Sequence, residues 1–245
     1  MQGILLVNKP KGISSFDVIR RLKAVLSESK VESLKSKVKI GHAGTLDPLA
    51  RGLLIVLIGG ATKQQGRFMK LDKTYEAEIT LGAVSTTDDA EGAITPVESQ
   101  SASWRTKVEK PSQTEIQAVL KGFVGEIQQQ PPRFSAIKVS GQRAYMLARK
   151  GAEVSLPKRP VRIYHLKLLE YDFPKIKISA KVGSGTYIRS LARDVGQKLG
   201  TGAYLSGLVR TRVGDFDLKN AIDINSISRA QIKQKILPTS NKLDN

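Results

Sequence analysis

Apolar residues recur along the chain with the period of a strand in some stretches and the period of a helix in others. Residues 4–7 predict a strand that stops at Lys9-Pro10-Lys11-Gly12, where Pro and Gly favour a turn. A helix is predicted next, capped by Ser14 or Ser15 and continuing to about Leu26. The most apolar run of the chain, residues 53–58, predicts a further strand.

The middle of the chain combines short helices with alternating strands. A short helix is predicted from 61 to about 71, and residues 73–82 alternate as a half-buried strand with Tyr75 on its apolar face. Ser112-Gln113-Thr114-Glu115 is a capping box that opens a helix to about residue 121. The polar segments 27–39 and 99–110 lack periodicity and are predicted to be surface loops.

The last part of the chain is strand-rich. Two runs around 161–171 and 176–182 predict a hairpin that turns near Phe173-Pro174. A strand-to-helix junction follows at 183–192, and a strand at 205–213 closes the core. The interspersed elements, without a clean linker or a solenoid repeat, predict one mixed α/β (α+β) domain.

Charge narrows the possible partners. Lys and Arg number 40 against 22 Asp and Glu, which gives a formal net charge of +18. This excess predicts a polyanionic partner, nucleic acid first and an acidic membrane surface second, with a merely basic soluble protein as the plain alternative. The chain has no Cys, which excludes disulfides and thiolate chemistry, and its two His leave little for a metal site. No signal peptide or membrane span is visible, so a cytoplasmic protein is expected.

Residues 41–52, which include His42 and Asp47, form the candidate catalytic stretch. Its glycines, histidine and single carboxylate directly precede the apolar run, as expected for a catalytic loop on a rigid scaffold. The alternative is structural, because Asp47-Pro48 is also a good helix start or turn. The stretch lacks the Gly-Lys-Ser/Thr ending of a phosphate-binding loop.

Taken together, these residues resemble the bacterial tRNA pseudouridine synthase B (TruB) family. The resemblance begins with Gly-His-Ala-Gly-Thr-Leu-Asp-Pro at 41–48 and extends in separated blocks over at least positions 3–214. The further blocks are 7–15, 73–75, 130–138, 185–189 and 202–208. It implies the pseudouridine synthase fold, a central mixed and largely antiparallel sheet flanked by helices. A catalytic domain at 1–216 is implied, followed by a short tail at 217–245 without a full RNA-binding PUA domain.

The resemblance implies a function as well. The family isomerises uridine 55 in the T-loop of tRNA to pseudouridine, after extruding the base into a pocket. Asp47 is implied as the nucleophile, and whether it attacks the uracil ring or the ribose stays open. Arg189 is implied to pair with this carboxylate and keep it ionised. This chemistry requires neither a metal nor an organic cofactor.

The substrate pocket is implied by the same blocks. Tyr75 would lie over the uracil and help to move its proton, although a strand tyrosine is also an ordinary core residue. Tyr187 and Leu208 would line the pocket, and His42 would fill the space that the uridine vacates. Tyr187 would share a side with Arg189 if the backbone between them is extended.

RNA binding is expected from an insertion at about 125–151, which corresponds to the family's thumb. Its basic residues interleave with aromatic ones, a pattern typical of phosphate and base contacts, though a solvated basic hairpin is the alternative. The T-arm of tRNA is the expected partner. The enzyme is expected to be a monomer that needs neither a protein partner nor a membrane. The expected RNA contacts are Lys9, Arg133, Lys138, Arg143, Arg149 and Lys150.

Three other functions compete with this interpretation. One is a tRNA-binding folding chaperone whose catalysis is dispensable, and another is the same chemistry on a different RNA. A metal-dependent nuclease is disfavoured, because the acidic cluster at 88–91 is separate from the basic motifs in the sequence. The spacing of that cluster does not fit a calcium loop.

Overall fold

The computed structural model describes residues 1–27, 38–97, 109–139 and 141–239. Its chain divides into two compact units, unit 1 (Met1–Tyr75 and Val209–Asn245) and unit 2 (Glu76–Leu208). The predicted surface loops at 27–39 and 99–110 fall almost entirely outside the described residues. The boundary between the units runs through two strands, so each of these strands contributes residues to both units.

The strands are, in chain order, β1 (Gly3–Lys9), β2 (Ile40–Ala43), β3 (Ala50–Ile58), β4 (Lys73–Leu81), β5 (Ala83–Ser85), β6 (Ile94–Pro96), β7 (Gly125–Gln129), β8 (Lys138–Val139), β9 (Gln142–Arg143), β10 (Arg159–Asp172), β11 (Lys175–Val182), β12 (Ala203–Val213), β13 (Phe216–Asp217) and β14 (Ile222–Asp223). The α-helices are α1 (Ser15–Ser27), α2 (Gln65–Met69), α3 (Gln113–Gly122), α4 (Ala144–Arg149), α5 (Ile188–Lys198) and α6 (Arg229–Lys235). Short 3₁₀ turns occupy Gly59–Gln64 and Leu218–Asn220.

Unit 1 is built on β1 and β3, which pair in antiparallel fashion with Leu5 opposite Val56 and Leu6 opposite Ile55. The strand order in this unit is β14-β1-β3-β12, with β2 also paired to β3 and β13 to β12. The β1–β14 pair is parallel, so the sheet is mixed.

Both faces of β3 are buried, which explains its unbroken apolar run. Leu53, Ile55 and Leu57 pack with Phe68 in one core cluster. The residues between them pack in a second cluster with the apolar face of α1. A strand covered on both sides needs no polar alternation, because neither face meets water.

Residues 217–239, the described part of the predicted short tail, pack within unit 1. Ser228 and Gln231 make a capping box at the start of α6, whose Ile232 is fully buried. After the helix, Leu237 exchanges two backbone hydrogen bonds with Ile4, each 2.8 Å long. The C-terminal segment therefore completes the core of this unit.

Unit 2 contains the predicted long hairpin. β10 and β11 pair from Asp172 opposite Lys175 to Ile163 opposite Val182 and turn at Phe173-Pro174. The strand order is β12-β4-β11-β10-β7. Ser112 and Glu115 form the predicted capping box of α3, in which Ser112 N donates to the Glu115 carboxylate at 2.7 Å.

The insertion at 125–151 shares a small core with the residues that follow it. The β8–β9 hairpin leads directly into α4, and Ala144 packs with Val154 and Leu156 in a cluster separate from the other cores. Residues 142–149 form a two-residue strand followed by the short helix α4.

The predicted fold class, a mixed α/β structure with a largely antiparallel sheet, is confirmed. The predicted helix at 61–71 begins as a 3₁₀ turn and becomes α-helical only at Gln65. In the described part of the chain, no helix has the length and apolar character that would let it cross a membrane.

Candidate active site

Asp47 lies at the tip of a tight connection between two paired strands of unit 1. β2 and β3 form an antiparallel hairpin, with His42 opposite Val56 and Ala43 opposite Ile55. The residues that join them, 44–49, are here called the Asp47 loop. No helix starts at Asp47-Pro48, because the chain makes a turn in which Ala50 N donates to Asp47 O at 3.0 Å and then enters β3.

The Asp47 loop is fixed on both sides of its carboxylate. Ser15 holds Leu46 twice, since its hydroxyl donates to Leu46 O at 3.0 Å and accepts from Leu46 N at 2.8 Å. Pro48 O accepts from Gly12 N at 2.8 Å. The turn after β1 and the start of α1 thus anchor the residues next to Asp47, which is itself half-buried.

Arg210 of β12 holds the same loop from the inside of unit 1. Its guanidinium donates from Nε to Leu53 O at 2.7 Å, from Nη2 to Gly44 O at 3.0 Å and from Nη1 to Thr45 O at 3.5 Å. The residue is only 1% exposed. Sequence reasoning placed Arg210 in a core strand without assigning it a role.

Lys73 and Tyr75 occupy the buried face of β4. Tyr75 is 8% exposed, and Lys73, two residues earlier and so on the same face, is 7% exposed. The Lys73 ammonium donates to Met69 O at 2.6 Å and also to Leu71 O. Burial, reinforced by the nearby positive charge of Arg210, lowers the pKa of Lys73 to about 8.

His42 is half-buried beside the Asp47 loop. Its backbone carbonyl accepts from Gln65 Nε2 at 2.8 Å, whereas its Nδ1 is enclosed and has no hydrogen-bond partner in the structure as described. Burial, together with the charge of Arg210, lowers the pKa of His42 and favours the neutral imidazole. A neutral ring can stack and hydrogen-bond at once, as the predicted role requires.

Lys9 does not lie on the surface. The residue is 0% exposed, and its ammonium donates to Ile13 O at 2.7 Å and Pro10 O at 2.9 Å. A buried ammonium cannot reach a phosphate, so the expectation of an RNA contact at Lys9 is replaced by a structural role. The side chain holds the Pro-Gly turn that in turn supports the Asp47 loop.

Arg189 of unit 2 sits in the first turn of α5 among acceptors. Its Nη2 donates to Phe134 O at 3.0 Å and its Nη1 to Thr87 O at 3.3 Å. The Nε atom lies 3.6 Å from Oδ2 of Asp89, and both side chains are almost fully buried. The guanidinium therefore has a fixed orientation within unit 2.

The acidic cluster at 88–91 pairs with two arginines of α5 that are distant from it in the sequence. Asp89 pairs with Arg189, and Oδ2 of Asp88 lies 2.8 Å from Nη1 of Arg193. Burial raises the pKa of Asp88, while Arg193 and Arg189 oppose that shift. The described residues contain no group of acidic and histidine side chains arranged to hold a metal ion.

Tyr187 is the N-cap residue of α5, half-buried and in an extended conformation. The buried amide of Gln129 holds it on both sides, accepting from Tyr187 N at 2.9 Å and donating to Tyr187 O at 3.1 Å. Because the helix starts at Ile188, the condition for Tyr187 and Arg189 to point the same way is not met. Leu208, in β12, is half-buried.

The five basic residues predicted in the insertion all have exposed side chains: Arg133, Lys138, Arg143, Arg149 and Lys150. The guanidinium of Arg149 lies 5.8 Å from the centre of the Tyr145 ring. Exposed cations next to an aromatic face are suited to nucleic acid, because one group meets phosphates and the other stacks on bases.

The predicted site residues thus fall into two groups. Unit 1 holds Asp47, His42 and Tyr75, and unit 2 holds Arg189, Tyr187 and Leu208. Residues that support them and were missed are Ser15, Lys73, Gln129 and Arg210. Only Lys73 left a signal in the sequence, since it falls on the apolar face of an alternating strand.

Comparison with solved structures defines the class of protein. The chain is similar to a chain of a Cbf5-Nop10-Gar1 complex, with a TM-score of 0.68 and 27% identity over 95% of this chain. It is also similar to a chain of the archaeal box H/ACA sRNP Nop10-Cbf5 complex, with a TM-score of 0.62, 26% identity and 91% of this chain covered. The chain spans about half the length of these two, 55% and 51%. The fold is therefore that of the pseudouridine synthases.

Comparison of sequences narrows the class to one family. Residues 31–188 match the TruB family pseudouridylate synthase N-terminal domain, and residues 189–245 match the tRNA pseudouridylate synthase B C-terminal domain. A tRNA pseudouridine synthase B of Parabacteroides distasonis is 48% identical over 88% of this chain and 87% of its own length. One from Clostridium tetani is 39% identical over 99% of this chain and 78% of its own length. This chain belongs to the TruB family.

Proposed function

We propose that this chain converts uridine to pseudouridine in tRNA, with uridine 55 of the T-loop as the target. The observation that carries the proposal is the identity of 39–48% to proteins named tRNA pseudouridine synthase B over most of the chain. The rigid presentation of Asp47 supports it, because a nucleophile must be held in place before the substrate arrives.

Asp47 is the proposed nucleophile. Its carboxylate forms a covalent bond either to a uracil ring carbon or to the ribose, and this bond is broken again when the product is complete. The bond between uracil nitrogen and ribose breaks, a carbon–carbon bond forms, and one proton leaves the carbon while the nitrogen gains one. The reaction is an isomerisation without net oxidation, so it consumes no co-reactant.

The remaining site residues are assigned by the same proposal. Arg189 keeps the Asp47 carboxylate ionised, and its orientation by Asp89, Thr87 and Phe134 supports that role. Tyr75 and Leu208 bound the flipped base, with Tyr187 orienting the charged groups. His42 takes the place of the extruded uridine in its neutral form.

The exposed cations of the insertion are proposed to bind the T-arm through its phosphates. The enzyme is proposed to act as a monomer without an obligatory protein partner. With tRNA as its substrate, the enzyme is proposed to act in the cytoplasm.

The test is pseudouridine mapping on an unmodified tRNA transcript incubated with the purified protein, Asp47→Asn or Asp215→Asn. Asp215 is an exposed carboxylate of the same unit and serves as the matched control. We expect conversion at position 55 with the wild type and Asp215→Asn, and none with Asp47→Asn. Absence of conversion by the wild type, with salt-sensitive tRNA binding intact, would instead favour the folding chaperone.

A further inference from the structure

Arg210 is buried and hydrogen-bonded to the first residues of the Asp47 loop and to β3, the strand that follows the loop. We propose that Arg210 is a positioning residue, whose guanidinium sets the place of Asp47 without touching the RNA. The inference rests on the proposed function, because positioning matters for rate only if Asp47 is the nucleophile. It adds a residue outside the predicted site to the machinery of the reaction.

The guanidinium connects chain segments on either side of Asp47. Gly44 O and Thr45 O precede Asp47, whereas Leu53 O follows it in β3. Three N–H groups of one rigid plane point to three carbonyls, so the two arms of the loop cannot move apart independently. A lysine at this position offers one nitrogen in place of the fork.

Close backbone packing gives a second, independent observation. Gly52 has a φ of +111°, and a Cβ built on it would lie 2.4 Å from the carbonyl oxygen of Arg210. Gly44 has a φ of +88°, and a Cβ built there would lie 3.5 Å from Nη1 of Arg210. The chain on both sides of Asp47 therefore lies directly against Arg210, on its backbone at one end and its side chain at the other.

The partners of Arg210 show that it is not half of an ion pair. Among the described residues its guanidinium has no carboxylate partner, and the carbonyl dipoles of the loop compensate its charge. Burying a cation is costly unless hydrogen bonds replace its water. Its hydrogen bonds go to the residues around Asp47, so the buried charge stays compensated only while these carbonyls keep their positions.

The experiment compares Arg210→Lys and Arg210→Ala with Arg212→Lys, an exposed arginine on the same strand. For each protein, single-turnover pseudouridine formation gives the rate, filter binding gives the Kd for tRNA, and thermal melting confirms folding at the assay temperature. We expect Arg210→Lys to lose about tenfold to a hundredfold in rate, because small misplacements of a reacting group have effects of this size. We expect its Kd, and both constants of Arg212→Lys, to stay within about twofold of wild type.

Chemical rescue separates positioning from a merely structural role. Guanidinium added at millimolar concentration to folded Arg210→Ala should restore part of the rate, because it can reoccupy the three carbonyls, and it should leave Arg212→Lys unchanged. A wild-type rate in Arg210→Lys would overturn the inference. A lower rate together with a higher Kd, and no rescue of Arg210→Ala by guanidinium, would overturn it as well.

A readout without catalysis keeps the inference distinct from the proposed function. Amide deuterium exchange over residues 44–50 should be faster in Arg210→Lys than in wild type and Arg212→Lys. If the wild type does not isomerise uridine, the proposed function fails and this measurement alone decides whether Arg210 clamps the loop. Equal exchange in all three proteins would refute the clamp.

Discussion

Two sets of basic side chains in this protein differ in everything but their charge. Lys9, Lys73 and Arg210 of unit 1 are buried and donate to backbone carbonyls. The five basic residues of the insertion are exposed to water. The net charge of +18 counts both sets alike, yet only the exposed set can meet a phosphate. Charge thus predicts a polyanionic partner, and burial decides which cations face it.

The largest expected effect concerns the exposed set. The variant replaces five insertion cations by Gln: Arg133, Lys138, Arg143, Arg149 and Lys150. The slope of log K against log salt should become shallower by about four, because each phosphate contact releases roughly 0.7–0.9 counterions. The affinity for tRNA should fall by about a thousandfold at 0.15 M salt. Fluorescence binding titrations at several salt concentrations measure both. A second variant that exchanges Arg and Lys at these positions keeps the charge and should keep the slope. An unchanged slope in the Gln variant would place the RNA elsewhere.

The buried set should affect how the free energy of unfolding depends on pH. The folded-state pKa of Lys73 is about 8, below its ordinary 10.5, so the unfolded chain binds more protons between these values. The free energy of unfolding should therefore rise as the pH increases from about 8 to about 10.5, by up to about 3 kcal/mol. Urea denaturation across this range should show the rise in wild type and not in Lys73→Met. Lys70→Met, which removes an exposed neighbour, should retain it.

Ser15, an uncharged residue, also holds the Asp47 loop. Ser15→Ala removes both hydrogen bonds to Leu46 and leaves a buried N–H and C=O without that partner, which should cost about 1–3 kcal/mol of unfolding free energy. Denaturation midpoints measure the loss, with the exposed Ser184→Ala as the control. Equal stability of the two variants would mean that the loop is held without Ser15.

The smallest expected effect is electrostatic. Arg210 helps to lower the pKa of His42, so Arg210→Met should raise that pKa, while burial, the larger cause, continues to hold it down. An NMR titration resolves this, because the chain has only two histidines and the exposed His165 supplies the second signal. An unshifted His42 titration would show that the Arg210 charge is screened from the ring.

Local patterns predicted much of the fold. The capping box at Ser112, the hairpin turn at Phe173-Pro174 and the alternation of β4 were confirmed, because each depends on residues close in the chain. The second capping box, at Ser228, was missed within a segment treated as a tail. The helix start at Asp47-Pro48 was one of two open readings, and the pairing of β2 with β3 decides against it.

The motif residues of the candidate site could be named from the sequence, but their supports could not. Gln129 holds Tyr187 from 58 positions away, and Ser15 holds Leu46 from 31. Neither an amide nor a serine carries a pattern that marks such a bond. Lys9 was misassigned because a lysine in a turn normally faces water, and only the fold shows its carbonyl acceptors.

The amino-acid sequence by itself determined the strand and helix periods and the family motif around Asp47, and its charge predicted a polyanionic partner. These depend on spacing and composition, which a chain carries before it folds. The tertiary structure alone decided which cations are buried and what they hold. Arg210 and Gly44 are 166 positions apart, and a guanidinium finds three carbonyl acceptors only when distant segments are brought together. Burial is a property of that assembly, since it depends on neighbours that sequence order does not specify.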